Sequence, residues 1–143
     1  MITHPDGYAF SSDPALVDAD LVYTWLSTDA YWALGRPRGT VDKSFAGSLV
    51  FGLYRPEADG GGQVGFARAV TDGATFAWLC DVYVDRSVRG RGLGTWMVER
   101  ARDELASLGV GRILLATLDA HAVYAKIGFT PLAEPDRWME YRK

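Results

Sequence analysis

Residues 89–94 read RGRGLG, two arginines and three glycines in six positions, and a helical pattern follows at once. Anion binding is the chemistry this combination serves. A helix start presents backbone N–H groups with no intrahelical acceptor, at the positive end of the helix dipole, and phosphate groups suit such ends. Gly90, Gly92 and Gly94 let the chain turn with no Cβ in front of the amides of residues 90–95. Arg86, Arg89 and Arg91 add charge within reach of a phosphate. The plainer alternative is a helix start with solvated arginines.

A second chemical feature lies just upstream. Asp81 is the only carboxylate in the apolar run FAWLCDVYV, residues 76–84. A carboxylate in such surroundings has either a hydrogen-bonding partner or a raised pKa. Two readings are open: Asp81 binds or deprotonates a substrate amine, or it is a structural, hydrogen-bonded side chain. Strict alternation puts it on one face with Leu79 and Tyr83, opposite Trp78 and Cys80; a bulge here would change that assignment.

Several functions are excluded or disfavoured. A nucleotide-hydrolysing loop needs G-x-x-x-x-G-K-[ST], and no lysine stands at that spacing. A dinucleotide loop needs G-x-G-x-x-G, but Thr95 occupies the third glycine position. One cysteine, Cys80, and two histidines, His4 and His121, are too few for a zinc site and allow no disulfide. Cys80 reads as a small buried hydrophobe. The net charge of −3 argues against nucleic acid as the main partner. No apolar run approaches the ~18 residues of a membrane span, and the N-terminus does not read as a secretory signal. A soluble cytoplasmic protein with no metal and no membrane partner is the expectation.

These residues need elements to position them. The 143 residues suggest one domain, 1–143. Leu16, Ala19, Leu21, Val22, Trp25 and Leu26 follow helical spacing over 14–27, with Asp13 and Pro14 as start signals. A helical turn over 31–35 and a short helix over 40–47 follow. The period then changes to strands at 48–55, 63–72 and 75–84, separated by the glycine-rich loop 57–62 and the Asp72–Gly73 turn. A helix spans 93–108 and ends at Gly109, a strand 112–118, and a short helix 119–128, with one or two strands to finish the chain. The fold class is α/β with a mixed sheet.

The stretch VYVDRSVRGRGLG resembles the strand–loop–helix signature [Q/R]-x-x-G-x-[G/A] of the GCN5-related N-acetyltransferase (GNAT) superfamily, through Arg89, Gly92 and Gly94. AVYAKIGF, residues 122–129, is similar to its second signature, one helix and one strand downstream. The resemblance covers about residues 45–132. YWALGRP and DAHAVY also resemble a group of small bacterial acetyltransferases.

The resemblance implies a central, mostly antiparallel twisted sheet flanked by helices, with a cofactor cleft at the central strand. It implies acetyl-coenzyme A as cosubstrate and direct transfer to a small-molecule or peptide amine. Arg89, Gly90, Arg91, Gly92, Leu93, Gly94 and Thr95 then hold the diphosphate, and Val82, Tyr83 and Val84 pair with the pantetheine arm. Tyr124 matches the family's general acid; a phenol with a pKa of about 10 is protonated at neutral pH. Asp81 is the candidate partner or base for the amine. Tyr31, Trp32, Arg36 and Trp78 are candidates for the acceptor pocket, where Arg36 either binds a substrate carboxylate or sits on the surface. His121, three residues before Tyr124, either helps there or caps its helix. Dimers are common in the family, so a homodimer is one of the open oligomeric states. The alternative function is a coenzyme-A-binding regulatory or inactive module, which needs the loop but not Tyr124.

Overall fold

Three antiparallel strands form the middle of the sheet: β3 (Leu49–Tyr54), β4 (Gln63–Thr71) and β5 (Ala77–Val84). The Asp72 carboxylate closes the β4–β5 turn by accepting from the amides of Ala74 and Thr75 and the Thr75 hydroxyl. The computed structural model describes residues 1–143. Two short strands, β1 (Ile2–Thr3) and β2 (Ala9–Ser11), extend the sheet beside β3, and β6 (Ile113–Leu114) pairs parallel with β5. The result is a six-stranded, mostly antiparallel sheet in chain order.

Helices cover both faces. α3 (Leu93–Ser107) lays Leu93, Met97, Val98, Ala101 and Leu105 on one face, in a core with Phe51, Leu53, Ala67, Ala69 and Leu79. α1 (Ala19–Thr28) puts Val22, Trp25 and Leu26 in a second core with Val50, Phe66 and Tyr83. α2 (Arg38–Ala46) and the short α4 (His121–Ala125) complete the set. No helix is long and apolar enough to cross a membrane.

The elements differ from the expected ones in four places. The helix over 14–27 is broken: Asp13 caps a single 3-10 turn at Pro14–Leu16, and Asp18 caps α1 by accepting from the Leu21 amide. β1 and β2 are too short to show a period. The strand expected over 112–118 pairs at Ile113 and Leu114 alone. The chain after Phe129 forms no strand, only a 3-10 turn at Pro135–Arg137; Pro131 and Pro135 lack the amide a ladder needs. Met139 and Tyr141 are exposed there.

One irregularity matters for the site. The β4–β5 register shifts between Phe66 and Arg68, and Asp81 opposite the shift has φ +51°, the only positive φ outside glycine. This bulge separates Leu79 from Tyr83: Leu79 lies in the α3 core and Tyr83 in the α1 core. Strict alternation would have kept them together with Asp81. Instead Asp81 turns to the face of Arg68, the cross-strand partner of Cys80.

Candidate active site

Asp81 is 4% exposed and its carboxylate accepts three hydrogen bonds. Trp32 donates from Nε1 to Oδ1 at 2.8 Å; Arg68 donates from Nε and Arg36 from Nη1 to Oδ2, at 2.6 and 2.9 Å. Burial pushes this carboxyl up, but the hydrogen bonds from Arg68 and Arg36, with their positive charge, outweigh it and hold the carboxyl below its ordinary value. Of the two readings of Asp81, this geometry supports the hydrogen-bonded one. The cluster reaches onward through the loop after α1. Trp32 meets Tyr31 edge to face at 4.9 Å, and the Tyr31 hydroxyl accepts from the Leu118 amide at 3.2 Å.

The glycine loop runs from the end of β5 to α3. Gly92 is the N-cap with φ +75°, a conformation that glycine adopts without strain. A Cβ on Gly94 would stand 3.2 Å from Val84 Cγ2, so glycine lets the first turn of α3 press against β5. The amides of Gly90 to Thr95 have no acceptor in the chain; the first bond of the helix is from the Trp96 amide to the Gly92 carbonyl. Arg89 donates from Nε to the Val84 carbonyl at 2.8 Å and lies over the Tyr83 ring, 5.1 Å from its centre. Arg91 reaches the Tyr8 hydroxyl at 3.4 Å.

Asp29, the C-cap of α1, organises these cations. It accepts from Arg86, from the Tyr83 hydroxyl at 2.6 Å and from Arg89 at 3.3 Å. The hydrogen bonds from Arg86 and Tyr83 hold its carboxyl well below the usual range. Burial, and then Asp29, push the Tyr83 phenol up to about 12.

β6 leaves β5 after Trp78, so the β5 edge from Leu79 to Val84 has no strand beside it. Asp85 donates to Val64 of β4, which by alternation turns the amide and carbonyl of Val84 away from β4; the amide faces the open edge, and the carbonyl takes the Arg89 bond. Tyr124 stands on the β6 side, half-buried, edge-on to Phe129 at 5.9 Å, its hydroxyl unpartnered. Burial raises its pKa, and the neighbouring Tyr31 raises it further. His121 and Tyr124 both line an apolar groove of about 1050 Å³ with Leu114, Leu115, Phe129 and Leu132. Trp78 is 45% exposed, and burial pushes the Cys80 thiol up to about 11.

The structure thus gathers the expected residues into two neighbourhoods: Trp32, Arg36 and Asp81 in one, and the loop with Val84 and Arg89 in the other. Tyr31 stands between Trp32 and Tyr124. Arg68 and Asp29 were not anticipated. A lone arginine in QVGFARAV beside a lone aspartate in the next apolar strand was a readable signal for the first; nothing local marked Asp29.

The family model described as "Acetyltransferase (GNAT) family" matches residues 19–129. The chain belongs to the GNAT acetyltransferases. A curated protein of Gibberella zeae, "Putative acetyltransferase FG08082", is 34% identical over 135 residues, covering 83% of this chain and 76% of its own. A solved structure from Xanthomonas campestris pv. campestris, described as "a putative acetyltransferase belonging to the gnat family", superposes with a TM-score of 0.86 at 39% identity, covering 95% of this chain and 93% of that one. The ribosomal-protein alanine N-acetyltransferase of Escherichia coli gives a TM-score of 0.65 at 25% identity, covering 86% of this GNAT chain and 77% of that one.

Proposed function

We propose that residues 1–143 form a single-domain N-acetyltransferase that moves the acetyl group of acetyl-coenzyme A onto a primary amine, free or on a peptide, by direct attack. One observation carries this reading: the open β5 edge leads directly into the acceptor-free amides of the glycine loop, with the unpartnered Tyr124 phenol on the β6 side of the opening.

Acetyl-coenzyme A supplies the activated thioester. In the stretch Val82, Tyr83 and Val84, the backbone of Val82 and Val84 meets the pantetheine arm as an added strand does, while Tyr83 between them pairs with β4. The loop from Arg89 to Thr95 holds the diphosphate through backbone N–H groups and the helix dipole. No Cβ fills the cradle at Gly90 or Gly92, where the space about each is clear. As the neutral amine nitrogen bonds to the acetyl carbon, the carbon–sulfur bond breaks and the thiolate takes the Tyr124 proton. The raised pKa of Tyr124 keeps that proton available at neutral pH. The amine proton leaves to water. Asp81, engaged by three donors, holds Trp32 and Arg36 in place for the acceptor.

The test is calorimetry with acetyl-coenzyme A followed by an amine panel read by mass and by thiol release. An acetylated amine together with free thiol is expected. Binding without thiol release would leave a coenzyme-A-binding module, and no binding would overturn both.

A further inference from the structure

Two guanidinium groups meet one carboxylate at Asp81, and the surplus charge is informative. Arg36 and Arg68 each ion-pair with Asp81 and with no other acid. Their side chains are 22% and 11% exposed, and that of Asp81 is 1% exposed. The cluster therefore carries one positive charge in excess, largely withdrawn from water, which is unfavourable unless an anion offsets it.

The hydrogen-bond inventory says where that anion goes. Arg68 spends Nε on Asp81 and Nη1 on the Ser48 hydroxyl at 3.1 Å, which leaves Nη2 alone without an acceptor. Arg36 spends only Nη1, so its Nε and Nη2 have no acceptor in the protein. Neither of these atoms is enclosed, because the buried polar atoms without partners lie elsewhere, on Tyr54, Arg100 and Glu104. A planar guanidinium fixed at one end by Asp81, with its remaining donors open, matches a carboxylate. Aromatic surface is exposed on this face: Trp32, bonded to Asp81, is 42% exposed, and Trp78, two residues along β5 from Cys80 and on the same sheet face as Arg68, is 45% exposed.

We propose that the acceptor amine also carries a carboxylate, which pairs with Arg36 while Arg68 and Asp81 hold that arginine in position. This rests on the acetyltransferase reading above and names the substrate class for it. A single excess positive charge matches a monoanion; a phosphate dianion would leave the site negative.

The experiment uses matched pairs. Standard amino acids, short ω-amino acids and dipeptides are each offered beside their carboxamides, with aminoalkyl phosphates as a third arm. Wild type is expected to acetylate at least one free acid with kcat/KM on the order of 10²-fold above its amide, as loss of a desolvated charge pair implies. In Arg36→Gln that preference collapses through the acceptor KM, with the KM for acetyl-coenzyme A unchanged. Arg36→Lys keeps the charge without the fork and falls between the two, which preserves the test if the glutamine variant does not fold. Equal use of acids and amides, a preference for phosphates, or a preference that survives both variants would overturn the proposal.

A turnover-free measurement separates the two levels of inference. Thermal shifts are recorded for the N-acetylated acids and their N-acetylated amides with coenzyme A present. Selective stabilisation by the acids, lost in Arg36→Gln, supports the carboxylate site even if no amine is acetylated, in which case the acetyltransferase reading alone fails. Stabilisation by neither, or by both equally, overturns the carboxylate site.

Discussion

The indole N–H of Trp32 donates to Oδ1 of Asp81 at 2.8 Å, tying the loop after α1 to the bulge in β5 across 49 residues of sequence. Asp81 thereby fixes an indole and two arginines at once.

Asp81→Asn should break this knot. It removes the negative charge and leaves two guanidiniums facing each other, and breaking a buried pair costs about 3 kcal/mol or more. The pKa of Asp81 is lowered in the folded chain, so its contribution is present above the unfolded value of 3.8 and is lost as pH falls through the folded value. Thermal melts from neutral pH to pH 3 should show the variant destabilised at neutral pH, with the gap to wild type narrowing at the acid end. Acceptor KM should rise while acetyl-coenzyme A affinity holds. A variant as stable as wild type at pH 7 would contradict this role.

Tyr124→Phe keeps the ring and removes the proton. The expected loss is ~10²–10⁴-fold in kcat, with coenzyme A affinity retained. Burial raises the pKa of Tyr124, so its acid form persists to higher pH than an ordinary phenol. The alkaline fall in wild-type kcat assigned to this group should therefore lie above pH 10, and the phenylalanine variant should lack it. Wild-type kcat in the variant, with chemistry limiting, would remove Tyr124 from the reaction.

Gly92→Val acts on the cradle. The residue has φ +75°, which valine adopts only under strain, and its side chain would project into clear space at the loop. Titration calorimetry should find acetyl-coenzyme A binding abolished in a variant that still folds. Unchanged affinity would place the diphosphate elsewhere.

Cys80 should be a slow thiol. Burial raises it to about 11, so little thiolate exists at neutral pH. Alkylation by iodoacetamide at pH 7.5, followed by mass, should be slower than that of a free thiol and should accelerate up to about pH 11. Rapid labelling at neutral pH would show Cys80 to be more open than this environment allows.

What could be read from the chain alone was what is local. The RGRGLG turn and AVYAKIGF are runs of consecutive residues, so the loop, α3 and the short helix that holds Tyr124 were legible. The Asp81 cluster was not, because Trp32, Arg36 and Arg68 reach it from other elements and the bulge that turns it toward them is a register event between two strands. WMEYR near the end of the chain has strand-like composition, yet that segment stays outside the sheet, and nothing in its own residues marks this.

A sheet is ordinarily a wall between what lies on its two sides. Here β6 parts from β5 after Trp78, and the wall has a notch. α3 packs on one side of it, and Trp32 and Arg36 meet Asp81 on the side of Arg68 and α1, with the glycine loop at the opening between. Two reactants that meet through an opening, each arriving from its own side, do not stand in each other's path. For the proposed acetyl transfer, neither reactant then has to leave before the other can enter, and no covalent relay through the protein is needed. Initial-velocity plots for such an enzyme should intersect, with the order of arrival left free.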